Sequence, residues 1–123
     1  MTWPVLLHAD FEAELRALPD RVQDGLLAHA RLLEEFGPGL GRPRVDTLKG
    51  SKHPNMKELR VSLNHGAWRL AFAFDPQRQA VLLIAGDKSG TAQRRFYKRL
   101  IDIADARYDD HLNRLREQQQ RQR

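Results

Sequence analysis

An α+β fold is predicted: an antiparallel β-meander with an N-terminal edge strand, an N-terminal helical hairpin and a C-terminal helix. Three observations predict it. Apolar residues recur at helical spacing between Phe11 and Leu33, alternate or run on as in strands between Glu58 and Asp87, and regain a helical period after residue 90. A chain of 123 residues suits one domain with a modest core.

Each element has a local reason. "WPVLLH" is short, apolar and β-compatible, and Pro4 near its start marks an edge strand. Asp10 reads as an N-cap. Phe11, Leu15 and Leu18, then Val22, Leu26, Ala30 and Leu33, give two helices separated by Pro19 and Asp20. Gly37 and Pro38 stop the second helix. "GPGLGRPRVDTLKGSKHPN" is a basic surface loop ordered in part by Val45 and Leu48. Three strands are predicted at Glu58 to Asn64, Ala67 to Asp75 and Ala80 to Asp87, joined by turns at "NHG" and "DPQRQ". The last, "AVLLIAGD", is apolar enough for a central position covered on both faces. A helix follows from about Thr91 to Leu115, with Phe96, Leu100, Ile103 and Ala104 on one stripe and Arg94, Arg95, Lys98 and Arg99 in a basic turn. The domain is expected to span residues 1 to 112, and 113 to 123 to be a frayed or disordered polar tail.

Charge and composition bound the function. Residues 1 to 40 carry three Arg against seven acids, whereas 41 to 70 carry seven Lys and Arg against two, and 88 to 123 carry ten against five. Basic charge gathered in two blocks suggests a polyanion on one side, nucleic acid above all, against the alternative of a solvated basic face. The absence of cysteine excludes a thiol nucleophile and a disulfide framework. The five histidines show no metal-ligand spacing, and no phosphate loop or nucleophile elbow occurs, so neither metal nor cofactor is expected. The opening residues lack a basic leader region and no window suits a membrane span, so a cytoplasmic protein is expected.

"KELRVSLNHGAWRLAFAFD" concentrates the pattern. Alternation places Leu59, Val61 and Leu63 on one face of the first strand, and Trp68, Leu70, Phe72 and Phe74 on one face of the next. With His65 and Gly66 as the turn, Leu63 faces Trp68, Val61 faces Leu70 and Leu59 faces Phe72. Arg60 then falls opposite Ala71, and Arg69 opposite Ser62, on the second face. Small neighbours there suggest a shallow depression where two guanidiniums meet a bound anion. Arg69 is expected to lie off the core, so that its loss spares stability. The competing reading pairs both arginines with Glu58, Asp87 or helix carboxylates.

Metal-free RNA cleavage needs deprotonation of a 2′-hydroxyl, stabilisation of a pentacoordinate phosphate and protonation of the 5′-oxygen. Lys49, Lys52, His53, Arg60, Arg69 and Lys88 are the candidates for those roles. Tyr97 is a candidate for stacking on a base, or simply for packing.

The segments "LKGSKHPNMKELRV", "GAWRLAFAFDPQRQAVLLIAGDKSG" and "RRFYKRLIDIADARYDDHL" resemble RelE/HigB-like toxins of type II toxin–antitoxin modules, particularly the phage Gp49-like branch, over roughly residues 3 to 112. The resemblance implies helices on one side of an antiparallel sheet and a basic active surface on the other. It implies ribosome-dependent, metal-independent mRNA cleavage, with Arg60, Arg69 and Lys88 as catalytic residues and Lys49, Lys52, His53 and Tyr97 as RNA-binding residues. The implied partners are mRNA, the ribosome and a cognate antitoxin of helix-turn-helix type, through which alone operator DNA is bound. A ParE-like gyrase inhibitor shares the fold and is the first alternative; a noncatalytic binding module is the second.

Overall fold

The computed structural model describes residues 2–63 and 65–122; Met1, Asn64 (the expected end of the first meander strand) and Arg123 lie outside the described residues. The elements are β1 (Val5–Leu7), α1 (Ala9–Arg16), α2 (Asp20–Phe36), β2 (Val45–Thr47), β3 (Lys57–Leu63), β4 (Gly66–Phe74), β5 (Ala80–Asp87) and α3 (Gln93–Arg121). Five strands form one sheet in the order β1-β5-β4-β3-β2. β1 runs parallel to β5, and the other neighbours are antiparallel. The expected α+β architecture is therefore present, with β2 as an additional short edge strand inside the basic loop.

The helical hairpin starts two residues earlier than the sequence pattern indicates. His8, not Asp10, is the N-cap: its Nδ1 accepts from the Asp10 backbone N–H at 3.1 Å, so Nε2 carries the ring proton and donates to Asp110 at 2.9 Å. Phe11 and Leu15 of α1 and Val22, Leu26, Ala30 and Leu33 of α2 bury against Leu59, Val61, Leu70, Phe72 and Leu82. At Gly37 the backbone turns to φ +56°, and a Cβ there would strike the Trp3 indole.

A second core lies on the opposite face. Leu100, Ile101, Ala104 and Tyr108 of α3 pack on Ala71, Ala73, Val81, Leu83 and Ile84, with Leu48 and Met56 from the loop side. The expectation of helices on one side only is thus corrected. Ala71 and Ala73 are small because a helix lies over them, and a Cβ on Gly86 would come within 3.0 Å of the Phe96 ring. β5 is covered on both faces, as its unbroken apolar run requires. Where Ala71 pairs with Ile84 and Phe72 with Leu82, Leu83 is the extra residue of a bulge.

The β3–β4 register differs from the expected one by two residues. Leu63 pairs with Gly66, Val61 with Trp68, Leu59 with Leu70, and Arg60 with Arg69. The left-handed conformation falls on His65 (φ +66°), leaving Gly66 in the strand. A shift of two preserves which face each side chain occupies, so every apolar residue keeps its predicted side.

α3 continues to Arg121, and Leu115 is buried, so residues 113–121 are a helical extension rather than the frayed tail expected. Arg, Glu and Gln are good helix formers, and a helix already nucleated on the sheet propagates into them at little cost.

Because Leu83 is fully buried beneath α3, Leu83→Ala is expected to lose about 2–5 kcal/mol in denaturant unfolding, comparable to Leu26→Ala in the first core.

Candidate functional site

The strand pairing sets two like charges face to face. Arg60 on β3 lies directly opposite Arg69 on β4, with Gly86 of β5 next in the row. Opposed cations at this spacing repel. Glu58, two residues before Arg60 and on the same face, offsets that repulsion. Its side chain is only 7% exposed, and its Oε1 lies 3.2 Å from Arg69 Nε while Oε2 lies 3.9 Å from Arg60 Nη2. From α3 the Tyr97 hydroxyl donates to the same Oε1 at 2.7 Å. Burial, then the bond to Glu58, raises the Tyr97 pKa above the ordinary phenol value, so the hydroxyl keeps its proton.

The two arginines are held differently. Arg69, with a side chain 12% exposed, also donates from Nε to the Tyr97 oxygen at 3.3 Å and from Nη1 to the Trp68 carbonyl at 3.0 Å. Arg60 is 39% exposed; its Nη2 donates to Asp46 Oδ2 at 3.3 Å, and its buried Nε has no partner among the described residues. Asp46, on edge strand β2, is shared with Arg42 at 3.0 Å. The hydrogen bond from Arg42, with one from the Thr47 N–H, holds the Asp46 carboxyl below its ordinary range. Arg69 is consequently not off the core, as the sequence reading expected. Removing it would strand a buried carboxylate.

Lys88 lies two residues beyond Gly86, where alternation assigns it to the same face, and its backbone N–H donates to the Ala67 carbonyl at 3.0 Å. Its ammonium forms no ion pair among the described residues, and neither does that of exposed Lys49. Lys52 and His53 stand elsewhere. Lys52 bonds Asp109 of α3, and His53 Nε2 lies 2.8 Å from the other oxygen of that carboxylate. Asp105 fastens the same loop through the Ser51 hydroxyl and the Lys52 N–H. Asp109 is twelve residues beyond Tyr97, which at the helical rise is about 18 Å. The structure thus gathers Arg60, Arg69 and Tyr97, puts Lys88 at the adjoining strand end, and places Lys52 and His53 at a separate station.

Two residues of the cluster escaped the list of candidate site residues. Glu58 left a signal: an acid two positions from Arg60 in a strand shares its face, and such a charge pair invites a third partner opposite. Asp46 left none, because nothing local marks a three-residue edge strand in a Gly- and Pro-rich loop. Among the described residues no group of three or more His, Asp or Glu side chains is arranged to hold a metal ion. No helix there is long and apolar enough to cross a membrane.

A five-stranded sheet between a helical hairpin and a C-terminal helix, with opposed arginines under that helix, defines a small protein of RelE-like fold. Residues 13–109 match the family described as Phage derived protein Gp49-like (DUF891), and the chain belongs to it. HigB2 of Mycobacterium tuberculosis, which bears a toxin name, is 45% identical over 101 residues, covering 81% of this chain and 50% of HigB2. HigB3 of the same organism, also named as a toxin, is 51% identical over 81 residues, covering 66% of this chain and 68% of HigB3. The chain therefore spans half the length of HigB2 and about two-thirds that of HigB3. A mutant of the E. coli toxin RelE in the free state matches with a TM-score of 0.56 at 16% identity, over 87% of this chain and 98% of RelE. The archaeal RelE–RelB complex from Pyrococcus horikoshii matches at 0.51 and 21%, over 74% of this chain and 100% of that one. Both likenesses establish the fold.

The Asp109 carboxyl is held below the ordinary carboxylate range, chiefly by the hydrogen bond from Lys52 and then by His53. The unfolded chain therefore binds the proton more readily, and this contribution to stability is present above about pH 4 and lost as pH falls through the folded pKa. Asp109→Asn should lower the thermal midpoint at pH 7 and shrink the further drop between pH 5 and pH 3, both read by circular dichroism.

Proposed function

We propose that the chain is the toxin of a type II toxin–antitoxin module, a metal-independent endoribonuclease that cleaves mRNA on the ribosome in the cytoplasm. A cognate antitoxin of helix-turn-helix type neutralises it and carries any contact with operator DNA. One observation carries the reading. Two arginines stand in directly opposed strand positions, with a lysine that forms no ion pair among the described residues at the neighbouring strand end. A pair of guanidiniums suits the non-bridging oxygens of one phosphate. The family membership and the toxin names of the curated relatives agree with it. Residues 1–112 are the working domain of this proposal, and 113–123 an extension.

In this scheme the 2′-oxygen attacks phosphorus after losing its proton, the 5′-oxygen departs and gains one, and negative charge builds on the phosphate between the two events. Arg60, the more exposed arginine, and Arg69, held by Glu58, neutralise that charge. Lys88 neutralises the leaving oxygen or supplies its proton. Tyr97 keeps its hydroxyl on Glu58 and packs against Phe96, and the exposed part of its ring meets a base. Lys49 is free to grip RNA, whereas Lys52 and His53 would exchange Asp109 for phosphate to do so.

Induced expression in bacteria, with transcript 5′ ends mapped, tests the proposal. Growth arrest with new 5′ ends is expected. Arg60→Ala should cost about 1 kcal/mol of stability, because its side chain and its hydrogen-bond partner Asp46 are part-exposed and Glu58 keeps its closer partner Arg69, yet lower cleavage about 100-fold or more. Arrest with intact mRNA and inhibited gyrase supercoiling would replace this reading with the ParE-like one. No cleavage on programmed ribosomes and no gyrase effect would leave a binding module.

A further inference from the structure

The sheet's β1 edge is only half covered. β1 pairs with Ala80, Val81 and Leu82 of β5 and then leaves the sheet at His8, whose N–H reaches the Leu82 carbonyl at 2.9 Å. The next carbonyl, that of Leu83, is taken by Arg107 Nη1 at 2.8 Å. Beyond it, Ile84–Asp87 pair with β4 on their inner side. Among the described residues their backbone makes no other hydrogen bond. Four residues of strand, about 13 Å, therefore offer an unpaired edge in line with β1. An uncovered edge of this kind is what an incoming strand recognises.

A cleft of about 220 Å³ runs along that edge beneath the first turns of α3. Ile84, Phe96 and Leu100 give it an apolar floor, and Arg95 and Arg99 line its rim. Both arginines are exposed, α3 carries no acidic residue in its first turn, and neither arginine is ion-paired among the described residues. Asp87, the one acid in the cleft, has Oδ1 committed to the Ala67 and Ser89 N–H groups. The basic block of α3 that the RNA scheme does not use therefore lies against an open strand edge.

We infer that the Ile84–Asp87 edge, with Arg95 and Arg99, is a docking site for an extended, alternately apolar and acidic segment of a partner protein. The segment adds a strand beside β5, seats an apolar side chain on Phe96 and Leu100, and sets carboxylates against the two arginines. A polynucleotide would satisfy the arginines but not the strand edge or the apolar floor. In the toxin reading the segment belongs to the antitoxin; only that attribution rests on the proposed function, since the surface is defined without reference to cleavage.

The test uses full-length, isotope-labelled protein and a capped six-residue peptide of alternating valine and glutamate. Amide shifts should concentrate at Ile84–Asp87 and the first two turns of α3, with slowed amide exchange along the edge. Affinity should weaken as salt rises from about 0.05 to about 0.3 M. It should fall more than about tenfold in the Arg95→Glu/Arg99→Glu variant, whose exposed positions leave the fold intact by circular dichroism. Absence of shifts at Ile84–Asp87 up to about 5 mM peptide, at a concentration where micromolar-to-millimolar binders saturate, would overturn the inference. So would a six-nucleotide RNA that takes the same residues more tightly than the peptide. Neither result bears on whether the protein cuts RNA, so failure here and failure of the nuclease reading are told apart.

Discussion

A buried carboxylate holds the centre of this molecule together. Glu58 lies between two arginines that the strand register forces face to face, and Tyr97 closes over it from the C-terminal helix. Without that charge the β3–β4 pair would set cation against cation in a partly buried row. The carboxylate therefore does two things at once. It permits the register, and it fixes Arg69 in one orientation, so that under the proposed function a phosphate would meet a guanidinium already in place rather than one that must be ordered on binding.

The helix that supplies Tyr97 rests on the second core and is fastened farther along by polar contacts as well. Arg107 grips Glu14 through two hydrogen bonds, 2.8 and 2.6 Å, and Asp105 and Asp109 hold the Ser51–His53 loop. Asp110 holds His8, and His111 lies 2.7 Å from the buried Asp75 that also organises the β4–β5 turn. These contacts span α3 from Asp105 to His111, while among the described residues its basic first turns are left unpaired apart from Lys98 with Asp102. Fold and surface are divided along one helix: Asp105, Arg107, Asp109, Asp110 and His111 bind the protein to itself, and the exposed Arg94, Arg95 and Arg99 of its first turns remain for something else.

Much of this was legible in the sequence. Side-chain alternation assigned every apolar residue of β3 and β4 to its face, and survived a two-residue error in register because the strand period is two. The bounds of β5 were marked by an unbroken apolar run ending in Gly86 and Asp87. What sequence could not distinguish was the meaning of small residues. Ala71, Ala73 and Gly86 read equally as the floor of a depression and as the seat of a helix, and the distinction depends on where α3 lands. Lys52 and His53 read as free basic groups because their acidic partners lie more than fifty residues away. The length of α3 was hidden for a related reason: its last turns have little to bury, and periodicity is blind to a helix that continues from its own momentum of hydrogen bonding.

The central claim is that Glu58 and Arg69 form one energetic unit, and a double-mutant cycle measures this directly. Glu58→Gln, Arg69→Met and the double variant are unfolded in denaturant at neutral pH. The account predicts a coupling of about 1.5–3 kcal/mol, with the double variant more stable than the sum of the single losses implies. Additive losses, with a coupling below about 0.5 kcal/mol, would contradict it and reduce the pair to two neighbouring charges.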